Sequence, residues 1–145
     1  MSASADIKVL PVHRGLIGKM WPHALPFVER GAAVSKIDPA ELLADLWNVR
    51  TVLWCVFKDG QITAACFTSV HEGNADGRFV MVYGLGGKDI RAWLSELVET
   101  VEAHAKGNEC ERLCFHGAPG WGRLLPHYTK LPATDGAALF ERFIQ

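Results

Sequence analysis

The segment from Arg78 to Lys106 limits the fold of this chain more than any other. Arg78-Phe79-Val80-Met81-Val82-Tyr83 is almost continuously apolar, the pattern of a strand covered on both sheet faces. Gly84-Leu85-Gly86-Gly87-Lys88 follows, and its three glycines suit a tight turn that presents bare N–H groups. Asp89 is an N-cap residue type, and Ile90, Trp93, Leu94, Leu97, Val98, Val101 and Ala105 then recur along one helical face. Lys106-Gly107 is a stop signal. A strand that runs through glycines into a helix start can hold an anion, because orphan amides and the helix dipole point the same way.

The flanking segments supply the rest of a sheet. Ile7-Lys8-Val9-Leu10 reads as a first strand ended by Pro11. Leu16, Ile17, Met20, Trp21, Ala24, Leu25 and Val28 form a helical stripe, which Pro22 and Pro26 should kink after about Met20, with Gly31 closing the region. Asp38-Pro39-Ala40-Glu41 is a capped helix start, with Leu42, Leu43, Leu46 and Trp47 as its apolar face. Thr51–Phe57 and Gln61–Val70 are strands joined by a hairpin at Asp59-Gly60. Glu111–His116 is another strand, and Trp121–His127 a short helix or tight turn. Tyr128–Gly136 is irregular with room for one short strand, and Ala138–Ile144 is the closing strand. The order β–α–α–β–β–β–α–β–α–β gives an α+β sandwich: one mixed, mostly antiparallel twisted sheet with helices on both faces. No repeat or linker divides the 145 residues, so one domain is expected over 1–145, with 1–6 as a loose tail.

Composition narrows the function. A formal net charge of −1 gives no general attraction to nucleic acid or to an anionic membrane. No apolar run approaches the ~20 residues of a membrane span, and the first residues do not read as a secretory signal. Cys55, Cys66, Cys110 and Cys114 read as buried reduced thiols, which points to a cytoplasmic protein. Cys110, Cys114 and His116 match no common zinc spacing and lack a fourth ligand, so no metal site is expected.

The element order resembles the GNAT acyltransferase superfamily over nearly the whole chain, and is similar to its small divergent members in phage and prophage genomes. The residues that carry the resemblance are the hairpin Trp54–Ile62, the apolar strand and glycine turn, the amphipathic helix after them, and Gly120-Trp121-Gly122-Arg123-Leu124-Leu125. The resemblance implies an acetyl-coenzyme A cosubstrate whose pyrophosphate lies on the amides of the glycine turn. Gly84-Leu85-Gly86 fits the Gly-x-Gly part of the family pattern, while Met81 stands where the family has Arg or Gln. Gly86, Gly87 and Lys88 would offer N–H donors and a cation. The pantetheine would pair with exposed backbone near Val82 and Tyr83, where an amide can polarise the thioester carbonyl. Arg123 suits a coenzyme phosphate or a surface carboxylate.

The same resemblance suggests Tyr128, in Tyr128-Thr129-Lys130-Leu131, as the general acid for the leaving thiolate, with Pro132 replacing the family's glycine. A tyrosine packed over the sheet edge is the other reading of that residue. Glu72, His71 and His116 are candidates for the general base by position, and each also suits a satisfied surface residue. The acceptor amine is unnamed; its pocket would be built from 13–34 and 71–77. Three functions follow: an acetyl-coenzyme A-dependent N-acetyltransferase, a non-catalytic GNAT-like interaction or phage-associated structural protein that would sit in the virion, and a module binding another small ligand. A homodimer through the final strand or the Trp47 region is compatible with each.

Overall fold

The computed structural model describes residues 6–73, 77–132 and 137–144. Among them the chain runs β1 (Ile7–Pro11), α1 (Ile17–Ser35), α2 (Pro39–Asp45), β2 (Thr51–Lys58), β3 (Gln61–His71), β4 (Phe79–Gly87), α3 (Ile90–Gly107), β5 (Arg112–Gly117), β6 (Thr129–Leu131) and β7 (Ala138–Phe143), with one-turn 3₁₀ segments at Arg14–Leu16 and Pro119–Arg123. The strands form one sheet in the order β1-β2-β3-β4-β5-β7-β6. Only β4 and β5 are parallel, joined by α3; every other neighbouring pair is antiparallel. This is the mixed sheet expected from the element order. Residues 1–5 of the expected tail, 74–76 of the loop before β4 and 133–136 of the irregular stretch lie outside the described residues. Asp6 is tied down: its amide donates to Asp59 Oδ1 at 2.9 Å, and its carbonyl accepts from the Asp59 amide at 2.8 Å.

Strand alternation divides the core in two. Trp54 and Val56 of β2, Ala64 and Cys66 of β3 and Val80 and Val82 of β4 pack with Trp93, Leu97 and Val101 of α3. Leu53, Cys55, Ala65 and Phe67 face the other way and pack with Ala24, Phe27, Val28 and Ala32 of α1 and Leu42 of α2. Each apolar face is therefore covered, as continuous apolar strands require. The hairpin forms as its sequence indicates, with Asp59 at φ 51° and Gly60 at φ 82° in the pair of left-handed conformations that a two-residue turn needs.

Several local expectations change. The stripe before Gly31 is one helix, α1, which continues through Pro22 and Pro26 to Ser35. Both prolines are on the exposed side, and the carbonyls they release belong to the equally exposed Gly18 and Pro22, where water can satisfy them. The helix ends instead at Lys36, in the left-handed conformation at φ 56°. The glycine run is strand rather than turn, since β4 extends to Gly87. Asp89 holds the N-cap position of α3 at φ 56° without a side-chain cap bond, and its carboxylate lies 3.8 Å from Lys58 Nζ. Trp47 is outside α2 and exposed, with the Arg14 guanidinium over its ring. The closing strand is interior to the sheet, between β5 and β6, so it offers no free edge to a second copy.

Candidate functional site

The distinctive feature is where β4 and β5 part. They pair from Phe79↔Arg112 to Val82↔Phe115 and no further, although β4 continues to Gly87 and β5 to Gly117. The cause is a β-bulge. On the β3 side, Phe67 pairs with Tyr83 and Ala65 with Gly86, so Gly84 and Leu85 together stand opposite Cys66. Gly84 sits at φ 61°, the left-handed first position of a glycine bulge. A bulge bends its strand and shifts its alternation. Val80 and Val82 face α3, and after the extra residue so does Leu85. The bend turns the end of β4 away from β5 and leaves its edge open.

The register identifies the open backbone groups. The Lys88 amide donates to Thr63 O at 3.0 Å, continuing the pairing of Gly87 with Ala64 and Gly86 with Ala65. Antiparallel pairs alternate between bonded and non-bonded, so Gly86 and Lys88 turn their N–H groups toward β3, and Gly87 turns its N–H toward the gap. The glycines also have a packing reason. A Cβ on Gly86 would overlap Phe27 O and Gly31 N, a Cβ on Gly31 would overlap Gly84 O, and one on Gly87 would overlap the Ala64 side chain. Helix α1 thus lies directly against the bent half of β4, backbone on backbone.

A cavity of about 260 Å³ opens here, lined by Leu85, Gly86 and Gly87 of β4, Ile90 and Trp93 of α3, Arg30 and Val34 of α1, and Ala118 and Trp121 beyond β5. Trp93 fixes its floor, with Nε1 donating to Lys88 O at 2.7 Å. The Trp121 ring lies over Gly117, close enough that a Cβ there would come within 3.2 Å. Arg30 supplies the cation on this wall, lying over the Phe27 ring. Its signal in the sequence was weak: a helix arginine one position before the glycine that allows α1 to approach β4.

The other sequence candidates spread over several places. Val82 is the last β4 residue paired with β5, and Tyr83 the first beyond it. The Tyr83 ring stacks on Phe67 on the α1–α2 face, and its hydroxyl donates to Asp45 Oδ2 at 3.3 Å. Burial first, then the Asp45 charge, push this phenol up to about 12. His116 follows the last paired residue of β5, on the face opposite Leu113 and Phe115, so it flanks the gap across from Tyr83. Lys88 and Arg123 are exposed and line none of the cavity around Gly86 and Gly87.

Tyr128 and Glu72 are not brought to the gap. The Tyr128 hydroxyl donates to Glu102 Oε2 of α3 at 2.8 Å, beside Arg142, in a separate cavity of about 540 Å³. Its ring packs edge-on against Phe115. Burial and the Glu102 carboxylate raise its phenol well above the ordinary range, so it is a neutral donor already engaged. Glu72 follows β3 at the far end of β4, where His71 pairs with Phe79, and is held by Arg78 at 3.1 Å and Arg50 at 3.5 Å. His71 lies at that end too, with Nε2 2.6 Å from Ser69 Oγ.

No protein-family model and no curated protein matches the sequence. Solved structures do match the fold. FeeM, an N-acyl amino acid synthase from uncultured soil microbes, superposes with a TM-score of 0.72 at 11% identity, over 97% of this chain and 92% of that one. An N-acetyltransferase from Staphylococcus aureus Mu50 gives 0.69 at 9% identity, over 97% and 99%. The GNAT domain of PAT from S. lividans gives 0.63 at 17% identity, over 94% and 90%. The chain has the GNAT fold.

Proposed function

We propose that this chain is an N-acyltransferase that takes an acetyl group from acetyl-coenzyme A and passes it to an amine. The observation that carries the reading is the parting of β4 from β5 at the Gly84–Leu85 bulge. It leaves unpaired strand backbone beside a cavity with a helix N-terminus and an arginine on its wall. Likeness in fold to acetyltransferases supports the reading.

The residues present fit the cosubstrate in part. The Gly87 amide and the first turn of α3 offer N–H donors to phosphate, and Arg30 offers a charge-assisted partner. The exposed edge of β4 can pair with the amides of an extended pantetheine as an added strand would. A cavity of about 260 Å³ takes only part of so long a molecule, so the nucleotide end lies on the surface. In the transfer, the amine nitrogen bonds to the thioester carbon, the carbon–sulfur bond breaks, and the proton lost by nitrogen ends on sulfur. His116, flanking the gap, is the base of this reading, acting directly or through water. With Tyr128 engaged by Glu102, the thiolate takes its proton from solvent.

Thermal unfolding with acetyl-coenzyme A tests this. A hundredfold excess over Kd stabilises a fold by about 2.7 kcal/mol, and the melting temperature should rise accordingly. No rise at millimolar ligand would leave a GNAT scaffold without coenzyme chemistry, the interaction-protein alternative.

A further inference from the structure

A second cavity, of about 430 Å³, lies on the α1–α2 face of the sheet and is lined by polar groups: Asp45, Asn48, Arg50, Thr51, Ser69, His71, Glu72 and Tyr83, with Val70 the apolar exception. That volume suits a small molecule. Its floor follows from register. Thr51 pairs with Ser69 and Ser69 with Met81, so Thr51 and Ser69 share the face on which Tyr83 lies one pleat further along. Helices α1 and α2 cover the rows through Leu53 and Phe67 and stop short of this one. Tyr83 is therefore a wall common to two spaces: its ring lines this cavity, and its backbone is the first of β4 beyond the pairing with β5.

The charges favour a cation. Two carboxylates and one guanidinium line the cavity, and that guanidinium, Arg50, is 3.5 Å from Glu72. Glu72 is also held by Arg78, while Asp45 forms no ion pair among the described residues. Asp45 is the last residue of α2, where the helix dipole disfavours a negative charge. Its printed side-chain partner is the Tyr83 hydroxyl, whose raised pKa keeps it a donor across the neutral range. A carboxylate placed against its helix and lacking a cation is a recognition group for one.

We propose that this cavity is the acceptor site, and that it selects a diamine: one ammonium on Asp45, the other amino group, as the free base, reaching past Tyr83 to the gap. The inference rests on the acyltransferase reading. Asp45 stands a tyrosine side chain's length from the strand edge, so an ammonium bound to it is too far away to be the reacting nitrogen. The acceptor therefore carries its two nitrogens about that distance apart, with Ser69 and Thr51 hydroxyls beside the chain that joins them. Acyl transfer leaves the anchoring ammonium charged and converts the other nitrogen to an amide, so the product keeps only one basic group.

Thiol release from saturating acetyl-coenzyme A, with 1,4-diaminobutane, n-butylamine and 4-aminobutyrate as acceptors, tests the selection. The diamine should exceed both others at least tenfold in kcat/KM, and Asp45→Asn should remove at least tenfold of its rate while the melting shift with acetyl-coenzyme A persists. Equal rates with n-butylamine, or a variant that keeps the preference, would overturn the diamine assignment. A coenzyme-free arm separates the two readings. 1,4-Diaminobutane alone should move the backbone amide resonances of Ser69 and Tyr83 in the wild type and not in Asp45→Asn. If it does so while acetyl-coenzyme A gives no melting shift, the site stands and the acyltransferase reading fails. If it moves neither resonance, the site is wrong whatever the coenzyme does.

Discussion

The two halves of β4 have similar composition rules and opposite fates. Phe79–Val82 is paired on both edges, with β3 and with β5. Tyr83–Gly87 is paired with β3 alone and carries α1 against its backbone. One extra residue separates the two regimes. The lesson is that an open strand edge inside a sheet, ordinarily a hazard, is made here by a bulge and held open by a helix too close to let the strand swing back.

The heaviest blow to that arrangement is Gly86→Val. Its side chain would have to displace Phe27 O and Gly31 N, both backbone, so α1 must move off β4. Overpacking of this kind costs about 1–3 kcal/mol, and we expect the upper end in urea unfolding, with coenzyme binding lost as well. A midpoint unchanged from wild type would mean that α1 is not held against β4 as described. Arg30→Ala separates site from scaffold. It should weaken acetyl-coenzyme A by tenfold or more in calorimetry, the scale of about 1.5–3 kcal/mol for a hydrogen bond to a charged group, with stability within ~0.5 kcal/mol of wild type, as for ordinary surface changes. Lys88→Ala should change affinity less, and the reverse order would return the phosphate site to the position read from the sequence.

Gly84→Ala addresses the bulge itself. At φ 61° an alanine incurs roughly 1–2 kcal/mol of left-handed strain, and its Cβ would come within 3.0 Å of Phe67 Cδ1. A loss of that size in denaturant unfolding is expected. A neutral result would imply that the strand straightens at no cost, and the contrast between the halves would lose its cause.

Alkaline pH gives the smallest effect. Tyr83 ionises near 10 in an unfolded chain and is pushed up to about 12 in the fold by burial and Asp45. The folded state holds its proton longer, so the associated stability is fully present below pH ~10 and is lost as pH rises toward 12. The fall in stability across that window should be shallower in Tyr83→Phe than in wild type, by urea unfolding at each pH. Equal slopes would mean that the Tyr83 hydroxyl is not buried beside Asp45.

The sequence made the sheet legible because alternation and turn chemistry are local. The hairpin at Asp59-Gly60 and the apolar stripe of α3 need only neighbours in the chain to declare themselves. The site was less legible because its determinants are not local. Glycines at 84, 86 and 87 suggested a turn, yet their role depends on Gly31 and Ala64, remote in sequence. Pro22 and Pro26 suggested a kink, but the carbonyls they release face water. Tyr128 lay in a family-like motif, and its hydroxyl is directed to Glu102 on another element. Arg30 and Asp45 carried no motif; tertiary placement against β4 alone distinguishes them.

The measurement closest to the central claim is an amide NMR titration of the intact chain with acetyl-coenzyme A. The account predicts that the resonances of Gly87, Ile90 and Gly117, around the gap, shift in proportion to saturation, while those of Phe79–Val82 in the closed half stay in place. Resonances that all remain still at millimolar ligand, or shifts confined to the Tyr128–Glu102 cavity, would contradict it.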